Sequence, residues 1–338
     1  MQITQKGRQT WLFDGPVGII GQAATCGPRE GEGPLAADFD HIFPNLRMGE
    51  VSFEKAEQRM EEYAARRAIA KASLTPDEID IMFAGDLINQ ITPSGFTARN
   101  LAIPYFGLFN ACATAMEGLA LAALCVASGV ARKVLVAASS HTCTAERQFR
   151  YPNEYGSQKP PYSQSTATAA GAAVVAAIPA PVEIKAITVG RVRDEHITDP
   201  FAMGAAMAPA FADTVKIHLQ ERGVSPDYYD LILSGDLGHV GQDIARELFQ
   251  LQGITIADEK LSDCGLMLYG ASTKVFSGGS GCGCAASVGF GHIYRLISEG
   301  EIKRVLLCAT GALLSPVSSE QKESIPAISH AVALERGE

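Results

Sequence analysis

Apolar residues recur with a helical period over residues 54–73, where Ala56, Met60, Ala64 and Ala68 share a face and charges lie between them. This spacing predicts a surface helix resting on a core, stopped by Thr75-Pro76. Residues 79–84 form a short, partly β-branched apolar run closed by Gly85, which predicts a strand. Residues 115–128 are apolar on nearly all sides and predict a buried helix, followed by a strand over 134–138. A helix over 283–298, containing Gly289 and Gly291, and a strand over 305–309 repeat that order.

The repetition reaches the residues themselves. Leu74-Thr75-Pro76-Asp77 running into Ile81-Met82-Phe83-Ala84-Gly85-Asp86-Leu87 reappears as Val224-Ser225-Pro226-Asp227 running into Leu231-Ile232-Leu233-Ser234-Gly235-Asp236-Leu237, an offset of 150 residues. Gly129-Val130-Ala131-Arg132-Lys133-Val134 is answered by Gly300-Glu301-Ile302-Lys303-Arg304-Val305 at an offset of 171. Two copies in one order imply two halves of like fold, residues 1–180 and 181–338, and not a solenoid, which needs three or more short units. Strands alternating with helices, and an apolar helix in each half, predict an α/β fold of five layers, α-β-α-β-α. Its sheets are expected to be mainly parallel, with the halves related by a pseudo-dyad and a site at their seam.

Composition narrows the function. The 338 residues carry a net charge of −9 and no Lys/Arg cluster, which excludes a nucleic-acid footprint. The polar start Met1-Gln2-Ile3-Thr4-Gln5-Lys6-Gly7 lacks the pattern of a signal peptide. The apolar run 113–127, interrupted by Glu117 and Gly118, falls short of the roughly 20 residues of a spanning helix, so no transmembrane segment is expected. Eight cysteines, mostly inside apolar segments, suit a reducing compartment. Two Gly/Pro-rich loops, 27–34 and 151–164, either cover a cleft or simply connect elements.

Cys112, in Phe109-Asn110-Ala111-Cys112-Ala113-Thr114, opens the first buried helix. A helix N-terminus presents unpaired N–H groups and about half a positive charge, which favours a thiolate or a bound anion. A core cysteine chosen for its size is the plain alternative. The offset of 171 pairs Cys112 with Gly283 at the start of the related helix, where two helix N-termini should meet.

This arrangement resembles the thiolase and ketoacyl-synthase superfamily, whose two halves share one fold and whose nucleophilic Cys starts a buried helix. The stretches Gly31-Glu32-Gly33-Pro34-Leu35, Ala84-Gly85-Asp86-Leu87-Ile88-Asn89-Gln90, Ser140-His141-Thr142-Cys143-Thr144-Ala145-Glu146-Arg147-Gln148-Phe149 and Ser277-Gly278-Gly279-Ser280-Gly281-Cys282-Gly283-Cys284 resemble one branch, the stage V sporulation protein AD family. That resemblance implies a thiolase-like fold and binding of dipicolinic acid, a pyridine dicarboxylate, during its uptake into the forespore. It implies as partners the other proteins of the spore dipicolinate channel complex, and a place in the forespore or spore, peripheral to the inner membrane through those partners. Superfamily members usually dimerise through the first-half sheet, so a homodimer is one expectation and hetero-assembly the other.

The resemblance also sets out what a synthase would need. A condensing enzyme requires a base and oriented donors beside its thiol. Where the ketoacyl-synthase III branch carries His, this chain reads Leu233-Ser234-Gly235-Asp236; where that branch carries Asn, it reads Gly281-Cys282-Gly283. His239, four residues beyond Gly235, is the remaining candidate base. A degenerate binding pocket is therefore expected, and the alternative is a Cys-dependent acyl transferase of the synthase III type with Cys112 as nucleophile. In the binding reading the Cys112 helix start holds a carboxylate, and Ala111, Ala113, Gly278, Gly279 and Gly281 make a slot for the ring. Asp86, Asn89, Gln90 and Asp236, in the repeated turns, either neighbour the ligand or cap backbone. Acids would repel a dianion, which favours a protonated ligand, an accompanying Ca²⁺, or capping aspartates. His141 and Cys282 complete the candidates, with Arg147 or Arg150 offering a fork to a carboxylate. No cofactor or protein-held metal is expected: Cys282-Gly283-Cys284 has C-x-C spacing without a matching pair, and His196, His218, His292 and His330 lack ligand spacing.

Overall fold

The computed structural model describes residues 1–149 and 159–337. Arg150 and most of the 151–164 loop lie outside the described residues. The first half contains β1 (Ile3–Lys6), β2 (Thr10–Phe13), β3 (Gly18–Cys26), β4 (His41–Ile42), α1 (Phe53–Lys71), β5 (Ile81–Gly85), α2 (Thr92–Leu101), β6 (Tyr105–Gly107), α3 (Thr114–Ser128), β7 (Lys133–Ser140), α4 (Thr142–Phe149), β8 (Ser165–Thr166) and β9 (Ala169–Ala176). The second contains β10 (Val182–Thr188), α5 (Met203–Arg222), β11 (Leu231–Ser234), α6 (Gly238–Leu251), β12 (Leu261–Asp263), α7 (Cys264–Tyr269), β13 (Gly279–Ser280), α8 (Cys282–Ser287), α9 (Tyr294–Glu299), β14 (Arg304–Ala312), α10 (Pro316–Glu320) and β15 (Ala327–Arg336).

The halves have matching topology. Strand order is β6-β5-β7-β9-β3 in one and β12-β11-β14-β15-β10 in the other. β5 is parallel to β6 and β7, and β11 is parallel to β12 and β14. The expectation of mainly parallel sheets needs correction, because β9 and β15 run antiparallel to both neighbours. Antiparallel neighbours need no crossover to the far end of the sheet, so the connections carrying α4 and α10 re-enter at the end where β7 and β14 finish. The two half-sheets also join at their edges, through Glu183 against Gly18 and through β2 on β10.

Alternation along the strands builds the layers. Val134, Val136 and Ala138 face the central core, with Val305, Leu307 and Ala309. Leu135 and Ala137 face α1 and α2, while Leu306 and Cys308 face α5 and α6. Strands buried on both faces read as continuous apolar runs for this reason. The central layer is α3 beside α8, which continues through a π-helical turn, Val288–Ile293, into α9. The segment Ala111–Ser128 has the length and apolar composition of a spanning helix, yet 67% of it is buried, which marks it as the core helix between two sheets.

α1 departs from its amphipathic reading. Ala56, Met60, Ala64 and Ala68 are buried as expected, but Glu57 and Glu61 are buried with them. Neighbouring hydroxyls make that placement tolerable: Glu57 meets Ser139 Oγ and Thr144 Oγ1, and Glu61 meets Ser94 Oγ.

Candidate functional site

Cys112 sits on an elbow between β6 and α3. Ala111 takes φ 48°, a left-handed conformation that is costly for a residue bearing a Cβ, and one 3₁₀ turn, Ala111–Ala113, precedes the helix. The strain is held by hydrogen bonds. Asn110 N–H donates to Thr114 Oγ1 at 3.2 Å, and that hydroxyl donates to Ala111 O at 2.7 Å. The Asn110 amide lies 2.9 Å from Nε2 of His330 on β15, and His330 Nδ1 accepts from Gly190 N–H at 3.2 Å. A Cβ at Gly311 would lie 2.7 Å from Asn110 O, so glycine is what lets β14 approach the elbow. A first-half turn is thus seated on second-half strands, at the seam that the repeat predicted.

The elbow opens into a cavity of about 310 Å³. Its walls are mainly apolar: Leu87, Phe109, Phe149, Phe201, Met203, Leu313 and Leu314, with Ala111 and Ala145 between them. The polar groups are Cys112, Ser280, Thr166, Glu146 and Ser315; among the described residues no Lys, Arg or His lines the space.

At the base, Cys112 Sγ lies 3.8 Å from Ser280 Oγ. Ser280 Oγ donates to Asp236 Oδ2 at 2.9 Å, Gly281 N–H reaches the same oxygen at 3.2 Å, and Thr310 Oγ1 donates to Oδ1 at 2.7 Å. The Gln164 side-chain amide donates to the Asp236 carbonyl. Burial pushes the Cys112 thiol well above its ordinary value, and the Asp236 carboxylate adds to this both by its charge and as acceptor of the thiol proton. Asp236 is itself pushed up by burial, against the hydrogen bonds it accepts from Cys112, Thr310, Gly281 and Ser280. The helix start therefore carries a neutral thiol, and a thiolate there would meet a carboxylate instead of a base's proton.

The sequence candidates separate into three groups. Cys112 and Ala111 line the cavity, and Asp236 lies immediately behind it. Gly281 and Cys282 belong to the supporting shell: Gly281 donates to Asp236, and Cys282 Sγ donates to Ser139 O at 2.8 Å, facing away from the cavity. Gly279 packs on Tyr269, where a Cβ would lie 2.6 Å from the ring. The others point elsewhere. Asp86 accepts from Ile88 N–H at 2.8 Å and Ser94 N–H at 3.0 Å, the capping role, while Asn89 and Gln90 are exposed. His141 is buried between Leu46 O, 2.9 Å from Nε2, and Cys143 N–H, which donates to Nδ1; burial lowers it to about 4. Arg147 is exposed and ion-paired with Glu54, and His239 is exposed with its N–H on Ser277 O. None of these lines the cavity, because α4 and α6 each turn that face away from the elbow.

Ser280 and Thr310 escaped the sequence reading, as did the aromatic walls. One signal was available. Extending the offset of 171 by a single residue pairs Thr310 with Ser139, and each donates to a buried carboxyl, Asp236 and Glu57 respectively. The three aromatic residues, Phe109, Phe149 and Phe201, come from separate segments, so no local pattern joins them.

The family model described as Stage V sporulation protein AD (SpoVAD) matches residues 7–335. Stage V sporulation protein AD of Bacillus subtilis (strain 168) is 46% identical over 330 residues, which span 98% of this chain and 97% of that protein. Among solved structures, 3-oxoacyl-[acyl-carrier-protein] synthase III from Aquifex aeolicus VF5 superposes with a TM-score of 0.60 at 16% identity, covering 94% of this chain and 99% of that one. A variant of OleA from Xanthomonas campestris superposes with a TM-score of 0.62 at 15% identity, covering 96% and 99%. At such identities the likeness is one of fold, the thiolase-like five-layered sandwich.

Proposed function

The chain belongs to the stage V sporulation protein AD family and acts in sporulation, and from that premise we propose that it binds dipicolinate, as its calcium chelate, in the Cys112 cavity. Binding there supports uptake of the acid into the developing spore. The observation that carries this reading is the pairing of an apolar, aromatic-walled cavity with a base that holds a protonated thiol. A bare dianion would enter a space where no described cation lines the wall and Asp236 stands close behind it, Glu146 being paired with Lys159 at 2.6 Å. Its 1:1 complex with Ca²⁺ is neutral, planar and largely apolar on its faces, which suits those walls. The metal arrives with the ligand, and no described cluster of His, Cys, Asp or Glu forms a metal site of its own.

The protein works peripherally to the forespore inner membrane through channel-complex partners. A second copy pairs on the β6 edge of the first-half sheet, where Phe106 is 60% and Phe109 57% exposed. The acyl-transferase reading draws on the fold shared with 3-oxoacyl-[acyl-carrier-protein] synthase III, but the elevated Cys112 and the absence of a described histidine from the cavity both oppose it.

Calorimetric titration of the protein with dipicolinate, with and without Ca²⁺, and in parallel with acetyl-CoA, tests the proposal. Saturable binding that tightens with Ca²⁺ and disappears in Cys112→Phe is expected. Covalent labelling of Cys112 by acetyl-CoA would instead establish the transferase.

A further inference from the structure

Behind one wall of the cavity, Glu57 and Glu61, one turn apart on α1, and Asp86, just past β5, are all 0% exposed. Hydrogens are short in this cluster. Ser94 Oγ lies 3.0 Å from Glu61 Oε1 and 2.8 Å from Asp86 Oδ2, two acceptors for one hydroxyl proton. Thr144 Oγ1 likewise lies 2.6 Å from Glu57 Oε2 and 2.8 Å from His141 O. Among the described residues Glu61 Oε2 is buried without a formed hydrogen bond, the nearby Thr97 hydroxyl donating to Gln58 O at 3.3 Å instead. If all three groups were carboxylates, two close contacts would lack a hydrogen and one oxygen would be orphaned. Protons on the carboxyls repair both contacts: Glu61 or Asp86 donates to Ser94, and Glu57 donates to Thr144, which then donates to His141 O; a neutral Glu61 also leaves Oε2 as an uncharged carbonyl oxygen, far cheaper to bury unpaired than a carboxylate oxygen.

The cluster also holds two cavity walls. Thr144 lies in the first turn of α4, whose Ala145 and Phe149 line the cavity, and Asp86 caps Ile88 N–H beside the lining residue Leu87. We propose that Glu57, Glu61 and Asp86 form a shared proton store that positions α4 and the Leu87 turn, so that losing its protons loosens both and lowers ligand affinity. This inference rests on the cavity being the binding site.

Burial supports the assignment: it raises Glu61 to about 8, Asp86 to about 6, and Glu57 well above its ordinary value, and the charge of Asp86 adds to the shift of both glutamates. Among the described residues, the other titratable groups shifted by these charges are Tyr105 on β6 and Cys282 at the start of α8. Among the described residues no Lys, Arg or His side chain is hydrogen-bonded or ion-paired to any of the three carboxyls. When Glu57 loses its proton to solvent, the single Thr144 hydrogen must serve either the new carboxylate or His141 O. The first-turn bond of α4 is then lost, and negative charge accumulates behind an acidic ligand.

The test titrates wild type and Glu61→Gln with dipicolinate and Ca²⁺ from pH 6 to 8.5, a range in which the ligand's own carboxyls no longer titrate. Wild-type affinity is expected to fall on the order of 5- to 10-fold, and the slope to flatten in the variant. A wild type with constant affinity, or equal slopes in both proteins, overturns the proposal. Two measurements need no ligand: the infrared carbonyl band of buried carboxylic acid, and hydrogen-exchange protection of the α4 amides. Both should weaken with rising pH in wild type and less so in the variant. If dipicolinate binds at no pH while these readouts behave as expected, the ligand reading fails and the proton store stands; if the infrared band is absent at pH 6, the store itself is refuted.

Discussion

Replacing Asp236 by Asn removes the charge and the acceptor that hold the Cys112 proton. The thiol should become more acidic, and alkylation of Cys112 by iodoacetamide at pH 8 should speed up about tenfold, the effect of one unit in pKa. An unchanged rate would show that burial alone keeps the thiol neutral. The same residue explains how far sequence reasoning reached here. Asp86 and Asp236 are the same residue of the repeated turn, yet one caps backbone beside Ser94 and the other closes the base of the cavity. Their difference comes from what faces them across the fold: α2 and α1 in one case, the elbow in the other. Candidates spaced to look near Cys112, such as His141 and Arg147, are spent on anchoring loops and on a surface ion pair.

At the level of elements, the close packing of α8 on β7 and β9 depends on Gly283. A Cβ there would lie 2.6 Å from Ser140 N and still closer to Ala169 O, both backbone atoms that cannot swing aside. Gly283→Ala should cost about 3 kcal/mol or more, read as a lower urea midpoint; a midpoint equal to wild type would mean that α8 can lift off its strands freely. The helix and strand boundaries were legible to within two or three residues because each segment carries its own periodicity. The predicted helix over 54–73 is α1, and the predicted strand over 134–138 lies inside β7. The burial of Glu57 and Glu61 was not legible, since the hydroxyls that receive them come from α2, β7 and α4, up to 87 residues away in sequence. The antiparallel course of β9 and β15 was likewise hidden, because direction depends on which end of the sheet the chain re-enters.

Across the whole molecule, buried histidines and buried carboxyls oppose one another in pH. Burial lowers His141 and His330 to about 4 and His218 to about 3. A histidine depressed in the folded state contributes stability that is full above about 6.5 and is lost as pH falls toward 4. Glu61 at about 8 and Asp86 and Asp263 at about 6 are raised, so their contribution is full below about 4 and is lost as pH rises through those values. Thermal stability should therefore peak near pH ~6 and decline toward both 4 and 8.5; a melting temperature still climbing from pH 6 to 8.5 would contradict this balance. By itself the sequence determined the two-half α/β architecture, the buried central helices and the placement of Cys112 at their seam, because periodicity and internal repetition are local properties that survive in a linear string. Only the tertiary structure decided which of the candidate groups surround that thiol, that Ser280 joins Asp236 at its base, that its walls are aromatic, and that three carboxyls lie buried behind them. Those facts depend on contacts between segments as much as 220 residues apart, whose geometry is set by the packing of both sheets together and by no single stretch of chain.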